Sequence, residues 1–208
     1  MAMALKQVGA KDVQMVWHKE TDLGKPDLIV LPGGFSYGDY LRCGAMGAHS
    51  PIMKDVIKRA EAGTRIFGVC NGFQILIESG LLPGALLRNN SLKFICKNVH
   101  LKYEASSGYL DKGDMMTVPV AHGEGNYFAN ENILKELEDT DSIAFKYCND
   151  NGDYTKHANP NGSIMNIAGI YNRDKTILGM MPHPENVMLD HQANQSARGF
   201  FKNMLDSL

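Results

Sequence analysis

One cysteine lies in a sequence context typical of an enzyme nucleophile. The segment Gly68–Gly72 is Gly-Val-Cys-Asn-Gly, preceded by an apolar run and followed by a helical pattern. Small flanking residues allow a tight turn and let a substrate approach Cys70. A position at a helix N-terminus favours the thiolate and supplies backbone N–H groups for an oxyanion. Cys70 is therefore a candidate nucleophile, the alternative being a buried structural cysteine between turn glycines.

A thiolate that attacks an amide needs a general base and a carboxylate that orients the base. Two pairs have the required His-x-Glu spacing, His122 with Glu124 and His183 with Glu185. In extended backbone, side chains two residues apart point to the same side, so each carboxylate can reach its imidazole. Spacing alone does not choose between the pairs, and either histidine could instead be an exposed loop residue.

Two adjacent glycines form the third chemical feature. Gly33 and Gly34 follow the apolar run Asp27–Leu31, at the edge of a parallel sheet where open α/β folds bind ligands. Their N–H groups could complete an oxyanion hole with that of Asn71. The segment matches neither G-x-G-x-x-G nor a P-loop, so phosphate binding is not indicated. The alternative is a tight turn without a chemical role.

The elements around these residues alternate in a way that predicts an α/β fold. Apolar runs predict strands on either side of the glycine-rich loop, a helix that Ser50 caps, and a helix directly after Cys70. The middle of the chain alternates like antiparallel strands. The predicted strands are Val13–Trp17, Asp27–Leu31, Arg65–Val69, Ser91–Glu104, Met115–Val120, Ser142–Tyr147, Ser163–Tyr171 and Thr176–Met181.

Composition excludes several classes of function. The 208 residues carry 21 Lys+Arg and 23 Asp+Glu, a formal net charge of −2, without a basic cluster. Nucleic acid and anionic membranes are therefore not expected as partners. No apolar stretch reaches the roughly 18 residues of a membrane span, and no signal peptide is evident, so a cytoplasmic location is expected. The four cysteines form no C-x-x-C pair, and no metal site is expected.

Four segments together resemble the class I (triad) glutamine amidotransferases. Within that family, Gly-Gly-Phe-Ser-Tyr-Gly-Asp and His-Gly-Glu-Gly resemble the glutaminase subunits of phosphoribosylformylglycinamidine (FGAM) synthases. The resemblance covers almost the whole chain and implies a single domain over residues 1–208. It implies a flavodoxin-like, doubly wound, mostly parallel sheet with helices on both faces. The segments are Leu31–Arg42, Gly68–Gln74, Pro119–Gly125 and Gly179–Glu185.

The resemblance assigns roles to individual residues. It implies that Cys70 is the nucleophile, His183 the general base and acid, and Glu185 the orienting carboxylate. It places His122 and Glu124 at the site rim or at a contact with a partner. The residues implied to bind substrate are Gly33, Gly34, Asn71 and Gln74.

The resemblance also implies partners. Glutamine would be the substrate, and ammonia would pass to a large synthetase subunit that uses ATP and Mg, with a small bridging subunit between them. No cofactor is expected in this chain. Two alternatives remain: a catalytically weak regulatory docking module of the same fold, and a cysteine hydrolase of the related α/β type.

The start of the sequence departs from the family pattern. Family members usually begin with a further hydrophobic strand and a Pro-Gly-Ser-Asn loop, whereas this sequence begins inside the following helix. The expectation is a sheet without its first strand, which leaves strand edges unpaired.

Overall fold

The computed structural model describes residues 1–39 and 42–208. Tyr40 and Leu41, which belong to the glycine-rich motif of the resemblance, lie outside the described residues. The helices are α1 (Ala2–Gln7), α2 (Ala45–Ala48), α3 (Met53–Glu61), α4 (Asn71–Glu78), α5 (Glu131–Asp139) and α6 (Arg198–Asp206). Within these ranges, no helix is both long and apolar enough to cross a membrane.

Seven strands form one sheet and two more form a small antiparallel ribbon. The sheet has the order β1-β2-β9-β8-β7-β4-β5, and β3 pairs with β6. The strands are β1 (Leu28–Leu31), β2 (Arg65–Val69), β3 (Ala85–Leu87), β4 (Ile95–Tyr103), β5 (Met115–His122), β6 (Asn126–Phe128), β7 (Ile143–Cys148), β8 (Ile167–Tyr171) and β9 (Ile177–Met180).

The sheet is mixed, which corrects the expectation of a mostly parallel one. β1 with β2 and β2 with β9 are parallel, whereas the pairings from β9 through β8, β7 and β4 to β5 are antiparallel. For β8 and β9, the reason is the length of the connection. Only a short turn joins β8 to β9, and a turn of that length joins antiparallel neighbours, since a parallel pair needs a long crossover. The α/β class itself is confirmed.

Helices cover both faces of the parallel part, as predicted. Successive residues of a strand point to opposite faces. On β2, Phe67 packs against Phe200 and Phe201 of α6, with ring centroids 5.5 and 6.2 Å apart. The next residue, Gly68, lies against Leu76 of α4. The strand β2 therefore lies between α6 on one face of the sheet and α4 on the other. Both helices pack against residues near the carboxyl end of β2.

The sheet curls so that its two ends approach each other. β5 is the edge strand furthest from β1 in the strand order. Nevertheless, the Pro119 carbonyl of β5 accepts a 2.9 Å hydrogen bond from the His183 N–H, directly after β9. This curvature brings the end of β5 to the carboxyl ends of β2 and β9.

One predicted strand is absent, and this is a correction. Val13–Trp17 alternates in sequence like a strand but forms no strand in the structure. Met15 is 82% exposed and Trp17 is 62% exposed. A strand needs a hydrogen-bonded neighbour, and β1, the nearest sheet edge in sequence, pairs only with β2 among the described strands.

The aromatic cluster beneath β2 provides a test of the fold. Phe200 is fully buried and makes edge contacts with Phe67, Tyr109, Phe145 and Phe201. Phe200→Ala should lower the free energy of unfolding by about 3–5 kcal/mol, because it removes a large buried side chain and leaves a cavity. Urea unfolding measures this value.

The matched control is Phe128→Ala, whose side chain is 52% exposed. It should change the free energy of unfolding by less than about 1 kcal/mol. Equal losses in the two variants would contradict the assignment of Phe200 to the core.

Candidate active site

Cys70 occupies a strained turn between β2 and α4. Its backbone has φ 50° and ψ −107°, a positive-φ conformation that L-residues rarely adopt. The Cys70 N–H donates to the Met180 carbonyl at 2.8 Å, and its carbonyl accepts from Gln74 N–H at 3.0 Å. The strand-turn-helix geometry predicted around Cys70 is therefore present.

The positions on either side of Cys70 require glycine, because other parts of the chain lie where a Cβ atom would be. A Cβ atom on Gly72 would lie 1.9 Å from the Leu31 carbonyl oxygen of β1. A Cβ atom on Gly68 would lie 2.4 Å from Cδ1 of Leu76 and 2.9 Å from the Gly72 backbone. Only residues without a side chain let β1, β2 and α4 pack this closely around the turn.

His183 and Glu185 follow β9 and contact each other. Nδ1 of His183 lies 2.9 Å from Oε1 of Glu185. A carboxylate only accepts hydrogen bonds, so Nδ1 carries the proton. Nε2 is buried without a hydrogen-bond partner in the described part of the chain. This nitrogen is therefore available to exchange a proton with a neighbouring group.

The surroundings of His183 favour its protonated form. Burial lowers the pKa of His183, but the proximity of Cys70 and the bond with Glu185 outweigh burial and raise the pKa to about 10. A nearby carboxylate favours the imidazolium by attraction. His183 is therefore arranged to hold a proton close to Cys70.

Gly33 lies directly against His183 and close to Cys70. A Cβ atom on Gly33 would lie 2.6 Å from Cε1 of His183 and 3.6 Å from Cβ of Cys70. The adjacent Gly34 is exposed and open on its free side. The structure therefore brings these glycines to the same place as Cys70 and His183, as their position after β1 predicts.

Asn71 and Gln74 are buried and bonded to protein groups. Asn71 accepts from the Ser36 N–H at 3.2 Å and donates from Nδ2 to Oε1 of Gln74 at 2.9 Å. Nε2 of Gln74 donates to the Glu124 carbonyl at 2.7 Å. Both ends of the Gln74 amide are therefore engaged within the protein, and the side chain links α4 to the turn after β5.

In the second His-x-Glu motif, the side chains of His122 and Glu124 bond other residues and not each other. His122 is 2% exposed, which corrects its expected place at the rim or at a partner contact, because its ring points into the protein. Burial and the charge of His183 lower its pKa to about 4. Glu124 turns the other way, where its Oε2 accepts from the Cys43 N–H at 3.1 Å and its Oε1 lies 3.8 Å from Arg88 Nε.

Two residues that sequence reasoning missed hold the site loops. Oε1 of Gln192 accepts from the Met188 and Leu189 N–H groups, both at 2.7 Å, and its Nε2 donates to the Glu185 carbonyl at 3.1 Å. Asn89 bonds the turn after β5 in a similar way, since it donates to the His122 carbonyl and accepts from the Gly125 N–H. No local motif marks either residue, because their partners are known only once the chain is folded.

The site is not arranged for a metal. In the described ranges, no group of three or more His, Cys, Asp and Glu side chains could hold an ion. The reactive groups are instead an imidazole bonded to a carboxylate and, beside the same glycine, a thiol, which is the set used for acyl transfer through a covalent thioester.

Comparison with known proteins identifies the class. The model of the CobB/CobQ-like glutamine amidotransferase domain matches residues 1–205. The chain belongs to this family of glutamine amidotransferases.

Curated relatives are similar over the full chain. This chain is 50% identical over 211 residues to the phosphoribosylformylglycinamidine synthase subunit PurQ of Pelagibacter ubique. The alignment covers 100% of this chain and 92% of the relative. The chain is 52% identical over 213 residues to the subunit PurQ of Rhodospirillum rubrum, with 100% and 93% covered.

Solved structures agree in fold. The structure of PurLQS from Thermotoga maritima matches with a TM-score of 0.73 and 40% identity, covering 87% of this chain and 79% of that chain. The glutaminase domain of CTPS from Trypanosoma brucei matches with a TM-score of 0.59 and 14% identity, covering 97% and 84%. The second likeness concerns the fold alone.

Gly33→Ala tests the packing of the glycine against His183. The added methyl group would displace the imidazole, and misplacing a catalytic group by about 1 Å costs about 10²-fold in rate. We expect a loss of that order in glutamate release from glutamine. The control is Gly199→Ala in α6, where a Cβ atom meets nothing within 4 Å. Full turnover by Gly33→Ala would contradict the close contact.

Proposed function

We propose that the chain is a glutaminase whose triad is Cys70, His183 and Glu185. It hydrolyses glutamine to glutamate and ammonia. The observation that carries this proposal is the arrangement of His183, whose Nδ1 bonds Glu185 at 2.9 Å while its pKa is raised by the Cys70 thiol. The family match over residues 1–205 supports it independently.

The proposed reaction has two covalent steps. The Cys70 thiolate attacks the side-chain carbonyl carbon of glutamine and forms a tetrahedral oxyanion. His183 gives its proton to the nitrogen as the C–N bond breaks, so ammonia leaves and a glutamyl thioester remains. A water molecule then attacks the thioester, His183 accepts its proton, and glutamate leaves as the Cys70 sulfur is released.

Backbone N–H groups stabilise the oxyanion in this proposal. Gly33 and Gly34 supply them from one side, and Asn71 supplies another from the first turn of α4, where unpaired N–H groups point outward. Gln74 contributes to substrate binding by holding α4 against the Glu124 turn, since its amide bonds Asn71 and the Glu124 carbonyl.

The similarity to PurQ proteins supports a particular setting. We propose that this chain is the glutaminase subunit of an FGAM synthase and acts in purine biosynthesis. Ammonia then passes to a large synthetase subunit, which carries ATP and Mg, and a small subunit joins the complex. This chain needs no cofactor for the hydrolysis. Its residues 1–208 form a single amidotransferase domain, and the expected location is the cytoplasm.

The two alternatives are less well supported. A regulatory docking module would not need a strained cysteine, whereas Cys70 keeps φ 50°. A cysteine hydrolase of the related α/β type would not need the His183–Glu185 pair, which is present. The identity of about 50% to PurQ proteins over the whole chain also favours the glutaminase.

Cys70→Ala tests the nucleophile. Glutamate release from glutamine, measured with the chain alone and with a purified synthetase subunit, should fall by about 10³-fold or more, because no thioester can form. The control is Cys96→Ala, which removes an exposed thiol of β4. Activity in Cys70→Ala equal to the unmodified chain would overturn the triad.

Glu185→Gln tests the orienting carboxylate through the pH dependence of kcat/KM. Glu185 raises the pKa of His183, so its loss should move the alkaline limb of kcat/KM to lower pH. The rate should also fall by about 10²-fold or more. Asp190→Asn is the control, because it neutralises an exposed carboxylate of the same loop that pairs with Arg198. An unmoved alkaline limb in Glu185→Gln would argue against this role.

A further inference from the structure

His122 is a buried histidine beside the triad with no part in the reaction proposed above. Its ring packs flat against Gly125, where a Cβ atom would lie 2.4 to 2.7 Å from Cε1, Nδ1 and Nε2. The carbonyl of its neighbour Ala121 accepts from Cys70 Sγ at 3.7 Å, and the charge of His183 acts on it. His122 therefore lies next to the reacting groups, in a position where its own charge matters.

The side chain of Asn89 has one possible orientation. It is fully buried, and its Nδ2 lies 2.9 Å from the Lys93 carbonyl and 2.8 Å from the His122 carbonyl. Its Oδ1 lies 3.1 Å from the Gly125 N–H. Carbonyls only accept and an N–H only donates, so exchanging Oδ1 and Nδ2 would break all three hydrogen bonds.

This orientation decides which nitrogen of His122 carries the proton. Oδ1 of Asn89 also lies 3.1 Å from Nδ1 of His122. An amide oxygen has no proton to give, so Nδ1 must be the donor. Nε2 then keeps its lone pair, and it is buried without a hydrogen-bond partner in the ranges that the structure describes.

A second proton on His122 would be costly. It would place a buried cation, with no anion bonded to Nε2, beside the imidazolium of His183. The other titratable groups around it are Cys70 near Ala121 and Glu124 in the same turn. Tyr147 faces the turn from β7, where Asn161 bonds both its hydroxyl and the Gly125 carbonyl.

We propose that Asn89 is a positioning residue that holds His122 as a neutral Nδ1–H imidazole and so keeps a second positive charge away from His183. The role depends on the proposed function, because the proton of His183 matters to turnover only if His183 serves Cys70. This positioning role also explains why residue 89 carries an amide. An aspartate could accept from Nδ1 but could not donate to two carbonyls, and its charge would favour the imidazolium.

The first test needs no activity. The full chain is labelled with ¹⁵N-histidine, and the ring signals of His122 are assigned through the backbone. We expect Nδ1 to be protonated and Nε2 to be bare, without change between about pH 5 and pH 8, where an ordinary histidine titrates. A proton on Nε2, or titration within this range, would overturn the proposal.

The second test separates charge from structure. In Asn89→Asp, we expect a doubly protonated His122 paired with the new carboxylate. The informative comparison is with the double variant His122→Gln, Asn89→Asp, which has the same carboxylate and no cation at position 122. The alkaline limb of kcat/KM should lie roughly one pH unit lower in Asn89→Asp than in the double variant, because the His122 cation lowers the pKa of His183. Equal limbs in the two variants would mean that Asn89 only braces the turn, against the proposal.

Failure of the proposed function would look different. Activity that survives Cys70→Ala would remove the triad while the proton on Nδ1 of His122 stayed as expected. A proton on Nε2 in an enzyme that depends on Cys70 would reject the role of Asn89 alone.

Discussion

The strained backbone of Cys70 is the constraint around which the parallel half of the sheet is arranged. A residue at φ 50° and ψ −107° costs of order 1–3 kcal/mol, and this conformation persists only where the surrounding packing enforces it. The hydrogen bond from Cys70 to Met180 ties the turn to β9, and the contact of Gly72 with Leu31 presses α4 onto β1. The strained turn places the sulfur at the carboxyl edge of the parallel strands.

The antiparallel half of the sheet has a different task. Its curvature carries β5 back to the carboxyl ends of β2 and β9, where the Pro119 carbonyl anchors the backbone of His183. The turn that follows β5 is held by hydrogen bonds from Gln74, Asn89 and Asn161. These buried amides are bonded at both ends, which makes the turn rigid, because releasing one would leave buried polar groups unpaired. Cys70 therefore comes from one half of the sheet and much of its surroundings from the other.

The different pKa values of the two buried histidines follow from their partners. His183 and His122 are both buried imidazoles, yet the pKa of His183 is raised to about 10 and that of His122 is lowered to about 4. The difference lies in their partners. His183 bonds a carboxylate and lies near Cys70, and both favour its cation, whereas His122 meets a neutral amide and the charge of His183. Two identical side chains thus hold different charges within one site.

Local sequence determined the elements that carry the chemistry. The apolar run Arg65–Val69 and the helical spacing after Cys70 coincide with β2 and α4 in the structure, because both depend on short-range patterns and on glycines that permit the turn. The alternation of Val13–Trp17 is just as regular, but the segment pairs with no described strand, and pairing is a long-range property.

Spacing left open which His-x-Glu pair forms a hydrogen bond, and the tertiary structure decided it. Their spacing is the same, and in both the local backbone could bring the carboxylate to the imidazole. In the folded chain, His183 meets Glu185, while His122 turns inward to Asn89, 33 residues away in sequence, and Glu124 turns outward to Cys43 and Arg88. A hydrogen bond between residues so far apart leaves no local pattern, so the choice is made only where the curled sheet brings the partners together.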